Sequence, residues 1–300
     1  MKSGFVGLVG RPNAGKSTLM NRLVGQKIAI VSDKPQTTRN RITGVRNYPE
    51  GQVVFVDTPG VHRPLHRLNV RMVDAALMAL REVDLVLAIV DASEPRGGGD
   101  RFVMDAVRRV DSKRILVLNK VDLIAKETLL PLIERYNREV SFADIVPISA
   151  LTGANVDRLE QAILSRLPAG EPLYPEDYLT DQPERFFVAE LVREQVLQHT
   201  HAELPFASAV MVDRFEEPDE KGLLRLYCTI LVERESQKPI VVGRAGSMIK
   251  AIGTAARHEL ERFFATRVFL DLRVKVRSDW REDDRMLDEL GLPKSKRARR

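Results

Sequence analysis

Gly10-Arg11-Pro12-Asn13-Ala14-Gly15-Lys16-Ser17 fits the phosphate-binding pattern G-x-x-x-x-G-K-[ST] without a mismatch. The apolar run Phe5 to Val9 precedes it, and the helix-like run Ser17 to Leu23 follows. Strand, glycine loop and helix in that order are the context that gives the pattern meaning. Glycines let successive backbone N–H groups curl around phosphates, and the helix start adds its positive dipole end. Lys16 is placed to reach the terminal phosphates, and Ser17 to put its hydroxyl on Mg²⁺. A plain glycine turn between strand and helix is the competing reading, and this context disfavours it. The expected ligand is a nucleoside triphosphate, held by residues 10–17 and Thr18.

Asn119-Lys120-Val121-Asp122 follows the apolar run Ile115 to Leu118, so it ends a buried strand. Ligands of open α/β sheets bind at that edge. A carboxylate there accepts two hydrogen bonds from guanine's ring N–H and exocyclic amine. Adenine offers no such pair, and sites built on that logic discriminate by roughly 10⁴-fold or more. The Lys120 stem can lie along the base, while Asn119 can tie this loop to the phosphate loop. Ser149-Ala150-Leu151, after Ile145 to Ile148, would support the base through backbone N–H groups. Alone, N-K-x-D also suits a helix N-cap at Asp122. In this order after a phosphate loop it points to guanine.

Asp57-Thr58-Pro59-Gly60 ends the apolar strand Val53 to Val56. Asp57 can hold a water on Mg²⁺, and the Gly60 N–H can bond the γ-phosphate. Loss of that phosphate would release the segment, as in GTPase switches. The polar stretch Ser32 to Arg41 contains Thr37 and Thr38, either of which could close over Mg²⁺. Thr38 is favoured, with ordinary loop chemistry as the alternative for both. The expected metal set is Ser17, Thr38 and Asp57.

With these motifs in sequence, residues 1–167 resemble a GTPase of the translation-factor-related class. The resemblance implies GTP/GDP and Mg²⁺ as cofactors, with Lys16, Asn13, Thr38 and Gly60 as the catalytic group. Val61 stands where Ras-like proteins carry a water-orienting glutamine. Valine cannot hydrogen-bond, so slow intrinsic hydrolysis is expected, and no arginine of the module announces itself as a finger. In the potassium-activated GTPases that this loop resembles, an asparagine at the place of Asn13 helps bind K⁺ near the β- and γ-phosphates. Such an ion neutralises charge much as an arginine finger does. A simple turn role for Asn13 stays open.

Three hundred residues suggest two domains, and 44% hydrophobic residues suffice for packed cores. No run of eighteen apolar residues exists to span a bilayer, and Met1-Lys2-Ser3-Gly4 leads straight into the first strand. Cys228 is the only cysteine, so no internal disulfide forms. A cytoplasmic location is expected. The net charge of +5 suggests an anionic partner beyond the nucleotide.

Pro168-Ala169-Gly170-Glu171-Pro172, Pro175 and Pro183 mark an extended linker over residues 168–183. From 184 the pattern reads as a helix with Phe187, Leu191, Val192 and Val196 on one face. Strands over Phe206 to Phe215 and Leu223 to Glu233 follow. An apolar run, Ile240 to Val242, reads as a strand leading into Gly243-Arg244-Ala245-Gly246. A helix then continues to about Ala265. The last strand places Val268, Leu270, Leu272, Val274 and Val276 inward, with Asp271, Arg273, Lys275 and Arg277 outward.

Gly243-Arg244-Ala245-Gly246 matches the G-x-x-G loop of KH domains, which clamp about four single-stranded nucleotides. A lone G-x-x-G is a tight turn; in an α-β-β-α-α-β order it points to RNA. Lys250 and Arg257 are candidate phosphate contacts, or else solvated charges. Overall, the fold class is an α/β P-loop GTPase domain with a mostly parallel sheet, then a smaller α+β type II KH domain over 184–292. This order resembles the Era family of bacterial ribosome-assembly GTPases. The likeness extends to Tyr174-Pro175-Glu176-Asp177-Tyr178 and Ala202-Glu203-Leu204-Pro205-Phe206. It implies a monomer that binds the 3′ end of small-subunit ribosomal RNA, acts on the 30S subunit, and makes weak peripheral contact with the inner membrane face. The last contact has no signal in the sequence. Residues 293–300 depart from the family pattern and read as a disordered basic tail. Two other classes compete: a signalling GTPase whose C-terminal domain binds protein, and an RNA-modification enzyme. The intact G-x-x-G argues against the first. The second lacks a reactive constellation, since His62 and His66 have no further metal ligands beside them.

Overall fold

The computed structural model describes residues 1–34, 36–60, 66–201 and 204–292. The first half runs β1 (Lys2–Gly10), α1 (Lys16–Val24), β2 (Ile42–Tyr48), β3 (Gly51–Asp57), α2 (Arg67–Ala79), β4 (Leu85–Asp91), α3 (Gly98–Arg108), β5 (Lys113–Asn119), α4 (Leu129–Asn137), β6 (Asp144–Pro147) and α5 (Val156–Leu164). Its sheet has the order β2-β3-β1-β4-β5-β6. Only the β2–β3 pair is antiparallel.

Alternate residues of β1 serve opposite layers, as the two-residue strand period requires. Val6 and Leu8 pack with α1 and α5, through Leu19, Leu23, Leu159 and Ile163. Phe5 and Val9 pack with α2, α3 and α4, through Ala76, Val103, Val107 and Tyr136. Burial on both faces is why the central strands are apolar runs without alternation. Each run stops at a polar residue on one edge of the sheet: Asp57, Asp91 and Asn119 end β3, β4 and β5.

The second half runs α6 (Glu184–His199), α7 (Leu204–Ala207), β7 (Ala209–Glu216), β8 (Leu223–Val232), α8 (Lys238–Val242), α9 (Ser247–Phe264), β9 (Arg267–Val276) and α10 (Asp284–Glu289). Its sheet has the order β7-β8-β9, antiparallel then parallel. Val192 and Val196 of α6, with Ile252 and Leu260 of α9, cover Leu226, Cys228 and Ile230 of β8. The inward set expected on β9 packs against this core. Burial pushes the Cys228 thiol up to about 12, as suits an inert core residue.

Two expected strands are corrected. Ile240–Val242 belongs to the short helix α8, with Pro239 in its first turn and Gly243 closing it. Proline's fixed φ suits a first helical turn, and a three-residue apolar run carries no period to separate strand from helix. The strand expected from Phe206 begins at Ala209, because Leu204–Ala207 is helical.

Residues 168–183 form no helix or strand, turn at Pro175–Tyr178, and are pinned to the first sheet. Val45 N–H donates to the Leu179 carbonyl at 2.8 Å, and the Thr180 hydroxyl to that of Thr43 at 2.6 Å. The Gln52 side chain donates to the Tyr174 carbonyl at 2.8 Å and accepts from Leu173 N–H at 2.7 Å. The halves also meet through α2 and α10, two elements the sequence reading did not assign. Leu68 and Met72 share a core with Trp280, Leu287 and Leu292. Beside it, buried Arg71 pairs with Asp284 and Asp288 at 2.7 Å each.

Candidate nucleotide site and nucleic-acid interface

The loop after β1 opens at Gly10 and passes Arg11, Pro12, Asn13 and Ala14 to the N-cap of α1 at Gly15. Gly15 has φ +90°, and a Cβ there would collide with the Asn119 amide. Both facts demand glycine. No acidic residue occupies the first turn of α1, so its dipole end faces the loop undiminished. A cleft of about 440 Å³ lies here, lined by residues that include Pro12, Asn13, Gly15, Lys16, Ser17, Thr18, Thr38, Gly60 and Lys120.

Ser17, Thr38 and Asp57 come together at its floor. The Ser17 hydroxyl donates to Asp57 Oδ2 at 2.9 Å and lies 2.6 Å from Thr38 Oγ1. Thr38 Oγ1 is 3.3 Å from the same carboxylate oxygen. The Thr37 hydroxyl instead donates to the Lys34 carbonyl at 2.6 Å. Geometry therefore separates two threonines between which the sequence offered little to choose. The other Asp57 oxygen, Oδ1, is buried without a partner. An orphaned carboxylate oxygen beside two hydroxyls is a hard-donor set that fits Mg²⁺. Burial raises the Asp57 pKa, against the opposing Lys16 charge and hydrogen bonds from Ser17, Thr38 and the Thr58 N–H. Burial likewise lowers that of Lys16, with Asp57 opposing. Lys16 Nζ donates to the Arg11 carbonyl at 3.2 Å, an arrangement that a phosphate would outcompete.

Asn13 has φ +63° and donates to the Asp33 carbonyl at 2.6 Å, linking the phosphate loop to the segment before Thr38. The Thr58 hydroxyl donates to the Leu8 carbonyl at 2.7 Å, locking the start of the Asp57-Thr58-Pro59-Gly60 turn to β1. Gly60 lies against Pro12, so close that a Cβ would fall 2.9 Å from it. Val61 and His62 lie outside the described residues. His66 caps α2 and pairs with Glu282 at 2.9 Å. Among the described residues no His, Cys, Asp and Glu cluster could hold a metal.

Asn119, at the end of β5, donates to the Ala14 carbonyl at 2.8 Å and accepts from Ala150 N–H at 2.9 Å. Val121, Asp122 and Leu123 form a single 3₁₀ turn that leaves Asp122 exposed. Ser149 is buried and caps the turn by accepting from Thr152 N–H at 3.1 Å. Leu151 stands out into solvent. Arg22 of α1 holds this turn from beneath, donating to the carbonyls of Ala150 at 2.6 Å and Leu151 at 2.5 Å. Lys120 makes a contact the sequence did not foretell: its ammonium pairs with buried Asp91 at 2.6 Å. Burial works against the Asp91 carboxylate, but hydrogen bonds from Lys120 and Ser93 outweigh it and hold the pKa below its usual value. Asp91 carried a legible signal, since it ends an apolar run just as Asp57 does. Arg22 carried none.

In the second half, Gly243-Arg244-Ala245-Gly246 joins α8 to α9. Gly246 has φ +78°, and nothing lies within 4 Å of a Cβ built on it. Arg244 and Ala245 are exposed. Beyond the loop runs an open groove of about 310 Å³, lined by Ile249, Lys250, Gly253, Thr254 and Arg257 of α9 with Leu270 and Leu272 of β9. An apolar floor flanked by Lys250 and Arg257 suits unstacked bases beside a phosphate backbone.

The family model described as 50S ribosome-binding GTPase matches residues 5–120, and that described as KH domain matches residues 203–281. GTPase Era of Geobacter metallireducens is 52% identical over 290 residues, covering 97% of each chain. GTPase Era of Heliobacterium modesticaldum is 46% identical over 291 residues, again covering 97% of each. An Aquifex aeolicus Era variant bound to GDP·AlF₄⁻ superposes with a TM-score of 0.94 at 41% identity, over 98% of this chain and 100% of that one. An Era in complex with MgGDPNP and nucleotides 1506–1542 of 16S ribosomal RNA matches with the same figures. Among the described residues no helix is long and apolar enough to cross a membrane. A likeness of this degree over nearly the whole length, with both halves matched, makes the chain a member of the GTPase Era family.

Proposed function

We propose that this chain is a GTP-binding and GTP-hydrolysing switch that grips single-stranded RNA at the 3′ end of small-subunit ribosomal RNA and assists 30S assembly. The observation that carries the reading is a pair of neighbours. Thr38 faces Ser17 and Asp57 in the nucleotide cleft, while Arg39 reaches the other way. Its guanidinium donates to the carbonyls of Ser208 at 2.8 Å and Pro205 at 3.2 Å, in the second half. A change at Thr38 on loss of the γ-phosphate is therefore felt one residue away by the RNA-binding half. Support comes also from the Era relative described with MgGDPNP and 16S ribosomal RNA.

The parts divide the work. Backbone N–H groups of residues 13–18 with Lys16 hold the phosphates, and Gly60 bonds the γ-phosphate. Asp122 reads guanine, with Asn119, Lys120, Val121 and the turn Ser149, Ala150, Leu151 shaping its pocket. Ser17, Thr38 and Asp57 hold Mg²⁺, which when bound neutralises charge on the β- and γ-oxygens. Asn13 contributes to a K⁺ site. Gly243, Arg244, Ala245, Gly246, Lys250 and Arg257 meet the RNA backbone. Residues 1–167 and 184–292 act as the two working domains, joined by 168–183. The protein acts as a cytoplasmic monomer, and the basic residues after 292 are where an anionic membrane face would be met.

The test is binding of an RNA ending in the ribosomal 3′ sequence against a scrambled RNA, with GTP analogue or GDP bound. The expected outcome is tight binding of the first RNA in the analogue state only. Equal binding of both RNAs in both states overturns the reading.

A further inference from the structure

A cavity of about 590 Å³, larger than the nucleotide cleft, lies in the seam between the two halves. Its walls come from residues 39–41, the start of α6, β7 and the turn after α10. Its lining includes Arg39, Arg41, Arg185 and Arg193 with Glu190 and Glu289, and Arg41 also pairs with Glu82 at 3.0 Å.

The seam also strands polar atoms. Arg39 Nε, Arg193 Nη1, Asn40 Oδ1 and Ser208 Oγ are all buried without a hydrogen-bond partner. Only four other side-chain atoms among the described residues share that condition, and one of them is the Asp57 oxygen assigned to Mg²⁺. Buried polar groups are nearly always paired, so orphans on three residues of this cavity's lining, Arg39, Asn40 and Arg193, mark a missing partner. Three of these four atoms can donate.

Charge points the same way. Arg193 is neutralised by Glu190, through two contacts of 2.7 Å, and Arg281 by Glu233. Among the described residues no carboxylate pairs directly with Arg39; it meets backbone carbonyls and the face of Trp280, 5.6 Å from the ring centre, and only the nearby Glu190 charge partly offsets its own. A buried cation offset only in part is costly, and water filling the pocket would satisfy its N–H groups without offsetting its charge.

We infer that the seam cavity is a binding site for a small phosphate dianion, free or as the end group of a monoester. Arg41 and Arg185 draw the anion in at the mouth. A rotamer-scale shift of Arg39 and Arg193 then turns their unpaired N–H groups onto its oxygens. Phe186, Met211 and Leu290 give one wall an apolar surface, which fits a ring attached to the phosphate. Arg193 also donates to the Thr37 carbonyl, so an occupied site fastens the loop carrying Thr38 to the second half. The inference stands independently of the guanine and RNA assignments.

The experiment uses the full chain with Mg²⁺ and a non-hydrolysable GTP analogue, so the phosphate loop is already filled. An Arg244→Ala background removes the glycine-loop contact. Inorganic phosphate and phenyl phosphate are titrated calorimetrically against chloride at equal ionic strength. One saturable site is expected, with phenyl phosphate the tighter ligand if the apolar wall is used and equal affinity if the phosphate alone is read. The double variant Arg41→Gln/Arg185→Gln, at a half-buried and an exposed position, should weaken binding at least tenfold. Crystals of the unsubstituted analogue-bound chain soaked in selenate should show an anomalous peak between Arg39 and Arg193, a measurement that no folding defect can blur. A seam without a peak, an isotherm matching chloride, or a double variant that binds normally each overturns the inference.

Discussion

The Asn119 side chain donates to the Ala14 carbonyl at 2.8 Å and accepts from the Ala150 N–H at 2.9 Å. One amide thus joins the phosphate loop, the end of β5 and the turn beyond β6. Asn119→Ala removes both bonds and leaves two backbone groups buried and unpaired, at about 1–3 kcal/mol each. Guanine nucleotide affinity should fall by roughly ten- to a thousandfold. Titration with a fluorescent GTP analogue measures it, and an affinity within twofold of the unsubstituted chain would refute the tie.

Base choice should turn on Asp122. In Asp122→Asn an amide donor replaces an acceptor, which matches the extra carbonyl of xanthine. Preference should move from GTP toward xanthosine triphosphate by roughly 10²-fold or more. Competition binding with both nucleotides reports the shift, and unaltered GTP selectivity removes Asp122 from the base site.

Turnover should respond to the monovalent cation. Asn13 is held by Asp33 at the mouth of the cleft, and no polar side chain stands at position 61 to orient water. GTP hydrolysis should run faster in potassium than in sodium at equal ionic strength. Asn13→Ala should lose that difference. Equal rates in the two salts, or a variant with the full potassium response, would count against the site.

RNA binding should be lost in Gly246→Asp. The left-handed φ of +78° strains any side chain there, and a carboxylate sets negative charge where a phosphate must approach. GTP affinity should stay within about twofold, because the substitution leaves the nucleotide cleft untouched. In the unsubstituted chain, RNA affinity should fall with salt at a log–log slope of roughly −0.7 per phosphate neutralised. Removing the residues from Lys294 onward should make that slope shallower and leave base preference intact, since phosphate contacts carry no sequence information. A filter-binding series over salt tests both statements.

The sequence made the nucleotide cleft readable because its motifs are local: Gly15-Lys16-Ser17 and Asn119-Lys120 each carry their chemistry within a few neighbouring residues. It misplaced Ile240–Val242 because three apolar residues have no periodicity to read. It favoured Thr38 over Thr37 with little to separate them, since that choice depends on Asp57, far along the chain. The seam was illegible for the same reason. Arg39, Arg193 and Ser208 are unremarkable apart and acquire meaning only when tertiary packing buries them together.

The pinned connection between the halves has a consequence beyond tethering. β2 is the rim of the first sheet, and such a strand normally offers open N–H and C=O groups on which another chain could zip and aggregate. Here Leu179 and Thr180 occupy those groups on Val45 and Thr43. The opposite rim, β6, is only four residues long and ends in Pro147, a residue that cannot donate to a neighbour. The segment that links the domains therefore also guards solubility. A fragment that ends before Glu171 and so lacks this cover should fold and then self-associate through β2.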